Sequence, residues 1–293
     1  MFTVAAFYQF ASLPHFADFK PHLASLGCHH KVTGSVLLAS EGVNGTIAGS
    51  REGIDAMLAA LRALPGCADL EHKESTAEDQ PFKRLKIRLK KEIVTIGVEV
   101  DAANDAGTYV EPEDWNELIS DPDVMVVDTR NIYETRIGVF EGAIDPDIET
   151  FRDFPEWLDE FGKKHNKPKI AMYCTGGIRC EKSTALAKNL GFTDIYHLKG
   201  GILKYLEKVP EEDSKWQGDC YVFDRRVALG HGLVEGDYTA CGACGEPVSA
   251  EDRSDPRYER GVSCPQCIDR YSDSDRARFR DRQKHYDSLG KQR

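Results

Sequence analysis

No apolar run in this sequence approaches the roughly 20 residues that cross a bilayer. Its first stretch, MFTVAAFYQFASLPHF, has neither a basic segment nor a small-residue cleavage site. No membrane association is therefore expected, and the expected compartment is the cytoplasm. Internal repeats and low-complexity tracts are missing as well. So is a dinucleotide fingerprint: GHGLVEG lacks the glycine spacing and the strand-to-helix context, and no flavin or nicotinamide cofactor is expected. The histidines form no evident two-His, one-carboxylate set for iron. Positive charge is in short supply. Against 49 Asp and Glu stand 38 Lys and Arg, and a net charge of −11 excludes nonspecific, whole-surface attraction to nucleic acid. A basic patch must be local to matter.

What is present is cysteine, nine in 293 residues. In a chain without an export signal these read as metal ligands or reactive thiols rather than as a disulfide framework. The length suits two ordinary domains with a small third module. Residues 1–98 alternate strand-like and helix-like stretches in the order β-α-β-β-α-β, a ferredoxin-like (acylphosphatase-like) α+β domain that closes on RLKIRLKKEIVTIG. Within it, Asn44-Gly45 in SEGVNGT reads as a tight hairpin turn. Residues 99–114 read as a polar linker. Residues 115–212, where VMVVD, KIAMYC and DIYHL alternate with helical stretches, read as a parallel α/β domain. Residues 213–293 are polar, poor in apolar periodicity, and need a staple other than a core.

The stretch MYCTGGIRCEKST, residues 172–184, ends a buried strand, passes a glycine-bearing loop and enters a helix. Cys174 therefore falls at the carboxyl edge of the sheet, where parallel sheets place ligands. Backbone N–H groups from Thr175, Gly176, Gly177 and Ile178 are expected to converge there as an anion nest, depressing the thiol pKa, with Arg179 adding a fixed positive charge. Cys180, in the first helical turn, reads equally as a resolving thiol, a second nucleophile or a small helix-start residue. The spacing Cys-x4-Arg is one residue tighter than the phosphate cradle of cysteine phosphatases and suits sulfur better.

These residues resemble the rhodanese family: the loop itself, the upstream DTRNIYETRIGVFEGAI and the closing LKGGI. The resemblance implies that Cys174 is the persulfide-forming cysteine, with Thr175, Gly176 and Gly177 in its loop, and that Asp128, Arg130 and Glu134 are the upstream motif. Val139 stands where rhodaneses usually carry His. With SEGVNGT before the loop, and GDCYVFDRRV and a cysteine-paired tail after it, nearly the whole chain resembles the bacterial tRNA uridine hydroxylases. That resemblance implies an enzyme making 5-hydroxyuridine at wobble position 34, with tRNA (its anticodon stem-loop) as partner and dioxygen as co-substrate; the loop's own residues, Cys174, Arg179 and Cys180, are the expected catalytic set. The alternative is a rhodanese-type sulfurtransferase that forms a cysteine persulfide and passes its sulfur from a small donor to a protein or small-molecule acceptor, a sulfur donor or acceptor protein then being a partner. A third reading is an RNA-binding module with a vestigial loop.

Two further patterns carry chemistry. Cys241 and Cys244 (CGAC) and Cys264 and Cys267 (CPQC) are two knuckles separated by nineteen residues, a spacing that closes tetrahedrally on structural zinc. In KRLKIRLKK, residues 83–91, Arg84, Lys86, Arg88 and Lys90 alternate with Leu85, Ile87 and Leu89. Strand geometry turns that alternation into a basic stripe, for which RNA phosphate is the natural partner. Residues 276–293 read either as a second contact or as a solvated helix.

Overall fold

A computed structural model describes residues 1–288 of the chain. The first domain comprises β1 (Phe2–Phe10), α1 (Phe16–His29), β2 (Thr33–Ala39), β3 (Gly42–Gly49), α2 (Arg51–Arg62), β4 (His72–Ala77) and β5 (Leu85–Leu89). Its sheet runs β4-β1-β3-β2-β5, antiparallel throughout except for the parallel pair β2–β5. Helix α2 starts where the Ser50 hydroxyl accepts from the Gly53 N–H. It buries Ile54, Met57, Leu58 and Leu61, the three-and-four spacing of one helix face, against the sheet.

Two expectations are corrected here. The fourth strand of the split unit is β4, whose sequence HKESTA carries no apolar alternation to announce it; the basic stretch is a fifth strand at the opposite edge. Nor does Asn44-Gly45 turn the chain. Both residues lie inside β3, opposite Tyr8 and Phe7, while Ser40 and Glu41 make the turn. Asn44 is instead held by its side chain, which donates to the Ile93 carbonyl at 2.9 Å.

The second domain comprises α3 (Ala102–Asp105), β6 (Thr108–Val110), α4 (Pro112–Ser120), β7 (Val124–Asp128), α5 (Ile132–Thr135), β8 (Gly138–Phe140), α6 (Phe154–Lys164), β9 (Lys169–Tyr173), α7 (Ile178–Asn189), β10 (Ile195–Leu198) and α8 (Gly201–Lys208). Strands β6-β10-β9-β7 form one parallel sheet. Apolar clusters cover both of its faces, so central β9 is buried from Ile170 to Tyr173. The stretch read as linker thus holds α3, β6 and the start of α4, with β6 hydrogen-bonded into the sheet beside β10.

Beyond it, β11 (Trp216–Gly218) pairs with β8, β12 (Cys220–Tyr221) with β13 (Ala228–Leu229), and β14 (Thr239–Ala240) with β15 (Pro247–Val248); α9 (Ala250–Ser254) and α10 (Asp273–Ser288) follow. Trp216 and Cys220 pack into the core of the second domain. The expectation of a coreless segment from residue 213 onward is corrected accordingly: the apolar residues there are too sparse to show periodicity, yet they fill a neighbour's core.

Helix α7 ties the domains together. It is buried from Arg179 to Ala187 although most of its side chains in that stretch are polar, because the first domain lies across it. Lys182, 1% exposed, reaches Glu41 at 2.9 Å and Glu92 at 2.7 Å in the stretch that leads out of the first domain. Arg226, on the loop between β12 and β13, donates to the Ser75 hydroxyl of β4 at 2.6 Å.

A candidate active site between two domains

The chain leaves β9 at Tyr173, and Cys174 begins the loop that ends in α7. Gly177 caps that helix at φ +105°, a conformation open to glycine, and its N–H donates to Cys174 Sγ at 3.0 Å. Gly201 starts α8 where an added Cβ would lie 2.5 Å from the Cys174 carbonyl oxygen, so the two helix starts pack backbone to backbone. Burial alone pushes the Cys174 thiol up. The Cys180 thiol, the Arg179 charge and the N–H groups of Cys180 and Gly177 outweigh it and hold the thiol at about 5. Cys180 moves the opposite way, well above the usual thiol range, through burial and the adjoining Cys174 anion. One sulfur is an anion at neutral pH and the other a neutral donor.

Arg179 is not an open clamp. Its two Nη atoms donate to Glu134 Oε1 and Oε2 at 2.6 and 2.7 Å, and Thr175 donates to the same carboxylate at 3.2 Å. Asp128 and Arg130 lie deeper. Arg130 Nη2 donates to Asp128 at 2.6 Å and to the Gly138 carbonyl at 2.6 Å, with its guanidinium against the rings of Tyr173 and Trp216. These four side chains brace the loop from behind.

In front of it opens a cavity of about 900 Å³, lined from both domains. Cys174, Thr175, Gly176, Arg179 and Glu181 form its floor, and Tyr8, Lys73, Arg88 and Lys90 are among the groups that close it from the first domain. Cys180, Gly177, Asp128, Arg130 and Glu134 stand behind the lining, and Arg84, just before β5, and Lys86, on it, lie outside the cavity and are exposed. The volume suits a nucleobase-sized ligand with part of its backbone.

Sequence reasoning missed the roof. Lys73 Nζ donates to the Gly176 carbonyl at 2.8 Å and the Tyr8 hydroxyl donates to Glu181 Oε1 at 2.7 Å, across 103 and 173 residues of chain. Burial lowers Lys73 to about 8. Burial also pushes Glu181 up to about 7, with Tyr8, Tyr109 and Lys73 pulling it down and the Cys174 anion pushing it further up. The one available signal was the parity of β1, which points Tyr8 and the apolar Phe7 to opposite faces.

The four knuckle cysteines come together. Cys241 and Cys267 approach to 3.9 Å, Cys244 and Cys264 to 3.8 Å, and Cys264 and Cys267 to 3.5 Å. All four sulfurs lie within 4.8 Å of one another. Tetrahedral Zn–S bonds imply S···S edges of ~3.8 Å, so the set fits a metal of that kind with no open position. Arg136 and Arg270 both bind Glu246, which ties this module to the end of α5. In α10, Arg276, Arg278 and Arg280 pair with Asp273, Asp275 and Glu259. Residues 289–293 of the tail lie outside the described residues. Among the described residues, no helix is long and apolar enough to cross a membrane.

Comparison with known proteins agrees with this layout. Residues 2–93 match the UPF0176 acylphosphatase like domain and residues 111–208 the Rhodanese-like domain. The tRNA uridine(34) hydroxylase of Agrobacterium fabrum is 59% identical over 283 residues, 96% of this chain and 90% of that protein. That of Sinorhizobium medicae is 60% identical over 95% of this chain and 89% of its own, and that of Deinococcus radiodurans 53% over 98% and 95%. At this identity and coverage the chain belongs to the tRNA uridine(34) hydroxylase family.

Proposed function

From membership of that family we propose that the chain hydroxylates C5 of the wobble uridine of tRNA, with Cys174 as nucleophile and dioxygen as oxidant. The observation that carries the reading is Cys174 Sγ, which accepts the Gly177 N–H at 3.0 Å on the floor of a cavity walled by two domains, with the Cys180 thiol and the Arg179 charge favouring its anion. C6 of a uracil is electrophilic. Thiolate addition there forms a C–S bond, opens the C5–C6 double bond and leaves an enolate whose C5 is nucleophilic toward an oxidant. Placing one oxygen atom of O₂ on C5 while the other leaves as water takes two electrons from an external reductant.

An anticodon loop exposes its bases at lower cost than a duplex, so the uridine enters unstacked. Arg88 and Lys90 at the cavity wall supply charge for its phosphates, and Arg84 and Lys86 extend that charge along the edge strand. Thr175, Gly176 and Gly177 shape the loop around the sulfur, while Glu134 and Arg179, backed by Asp128 and Arg130, keep it rigid. Cys180 serves as the neutral thiol donor to the Cys174 anion. Cys241, Cys244, Cys264 and Cys267 would hold a zinc ion of structural role. With tRNA as substrate the enzyme works in the cytoplasm.

The test is nucleoside mass spectrometry of unmodified tRNA incubated with the purified protein, under oxygen and under nitrogen, with Cys174→Ser in parallel. Oxygen-dependent 5-hydroxyuridine that vanishes with Cys174→Ser supports the reading. The same anion would carry sulfane sulfur to an acceptor protein. No hydroxylated product under any reductant, with a persulfide on Cys174, would favour that function.

A further inference from the structure

Hydroxylation through a C6 adduct leaves a problem that the thiolate cannot solve. After oxygen is installed, C5 carries both a hydroxyl and its original hydrogen, and C6 is still bonded to sulfur. Aromatic product forms only when that hydrogen leaves as a proton, which calls for a base near Cys174.

Of the carboxylates lining the cavity, most are committed. Glu74 is bound by Arg51 and His72, Glu92 by Lys182, and Asp224 by Arg226. Asp69, Glu71 and Glu207 are exposed. Glu181 differs. It is buried in the first turn of α7, lines the same cavity floor as Cys174, and takes its hydrogen bond from a phenol, Tyr8 at 2.7 Å, with no cation bonded to it. The groups facing it are Tyr8 from β1, Tyr109 from β6, Lys73 from β4 and Cys174 from the loop. Lys73 donates to the Gly176 carbonyl and, among the described residues, makes no hydrogen bond or ion pair with Glu181.

We infer that Glu181 is the general base that removes the C5 proton and releases the product, a step that rests on the thiolate reading above. The Glu181 carboxylate accepts H5 as a proton. The C5–H electron pair becomes the C5–C6 double bond, the C6–S bond breaks, and its pair leaves on Cys174 as thiolate. Nothing is oxidised or reduced in this step. Charge sets its timing. While Cys174 is an anion it disfavours a second anion at Glu181; once the sulfur is consumed in a C–S bond that opposition is gone and the carboxylate forms readily. Tyr8 and Tyr109 face the carboxylate and favour its ionised form.

The experiment uses the full-length protein and unmodified tRNA under single turnover, comparing wild type, Glu181→Gln, Cys174→Ser and the double variant. Expected for Glu181→Gln is a loss of product formation on the order of 10²-fold or more. Denaturation-resistant protein–tRNA adduct should accumulate with it, and disappear in the double variant. Wild-type rates in Glu181→Gln overturn the inference. So does a slow variant with no adduct, which marks a structural role. A Cys174→Ser protein that still makes 5-hydroxyuridine sinks the thiolate reading itself, a result distinct from either. Tyr8→Phe gives a check that keeps the carboxyl group. Losing the phenol raises the Glu181 pKa, so the acidic limb of the single-turnover rate moves to higher pH than in the wild type; a limb that stays in place overturns the assignment.

Discussion

Arg179 and Glu134, 45 residues apart in sequence, meet through two hydrogen bonds of 2.6 and 2.7 Å in the interior of the second domain. Glu134 is fully buried and Arg179 nearly so. The loop arginine is thereby neutralised by its own fold, and its influence on Cys174 is exerted from a fixed position rather than by swinging onto a ligand.

Removing one partner of that pair leaves a buried charge alone. Glu134→Ala is expected to lower stability by about 3–5 kcal/mol, the usual cost of breaking a buried pair from one side. Urea denaturation measures it; a change under 1 kcal/mol would mean that Arg179 finds another anion or water.

Cys174 should react with iodoacetamide in proportion to its thiolate. Its depressed pKa means the anion persists above pH of about 5 and is lost as pH falls through that value. Labelling followed by peptide mass spectrometry should therefore be half-maximal near pH 5 at Cys174, with Cys180 silent to far higher pH. First labelling at Cys180 reverses the assignment.

Elemental analysis of the purified protein should find one zinc per chain. Chelation, or Cys264→Ser, should expose residues 236–270 to protease while the rest of the chain stays intact. A metal-free preparation whose tail still resists digestion contradicts the site.

The two halves of the basic strand should separate in their effects. Arg88→Gln with Lys90→Gln should weaken tRNA binding and slow turnover, because both side chains line the cavity. Arg84→Gln with Lys86→Gln should weaken binding alone. Each lost phosphate contact lowers the slope of log affinity against log salt by about 1. Binding titrations at several salt concentrations provide that slope, and an unchanged slope in both variants places the RNA elsewhere.

The loop was legible in the sequence because one short segment holds the strand end, the thiol, the glycines and the arginine. The cysteine knuckles were legible for the same reason. Strand β4 was not: HKESTA has no buried alternation, since most of it is half-exposed at a sheet edge. The site's roof was hidden by distance. Tyr8 and Lys73 lie in strands where a tyrosine and a lysine are ordinary surface residues, and only the packing of one domain on the other turns them toward Cys174. Glu181 was hidden differently, in plain view within CEKST, where a glutamate in a first helical turn already has a sufficient explanation in the helix dipole.

Gly177 has one consequence for the width of the cavity. Its φ of +105° admits glycine, and the place where a Cβ would stand lies 2.6 Å from the Tyr8 hydroxyl. A methyl group there would have to push the phenol off the loop. The missing side chain acts as a spacer gauge: it fixes how closely the two domains close over the sulfur, and so how thick a ring can lie between them.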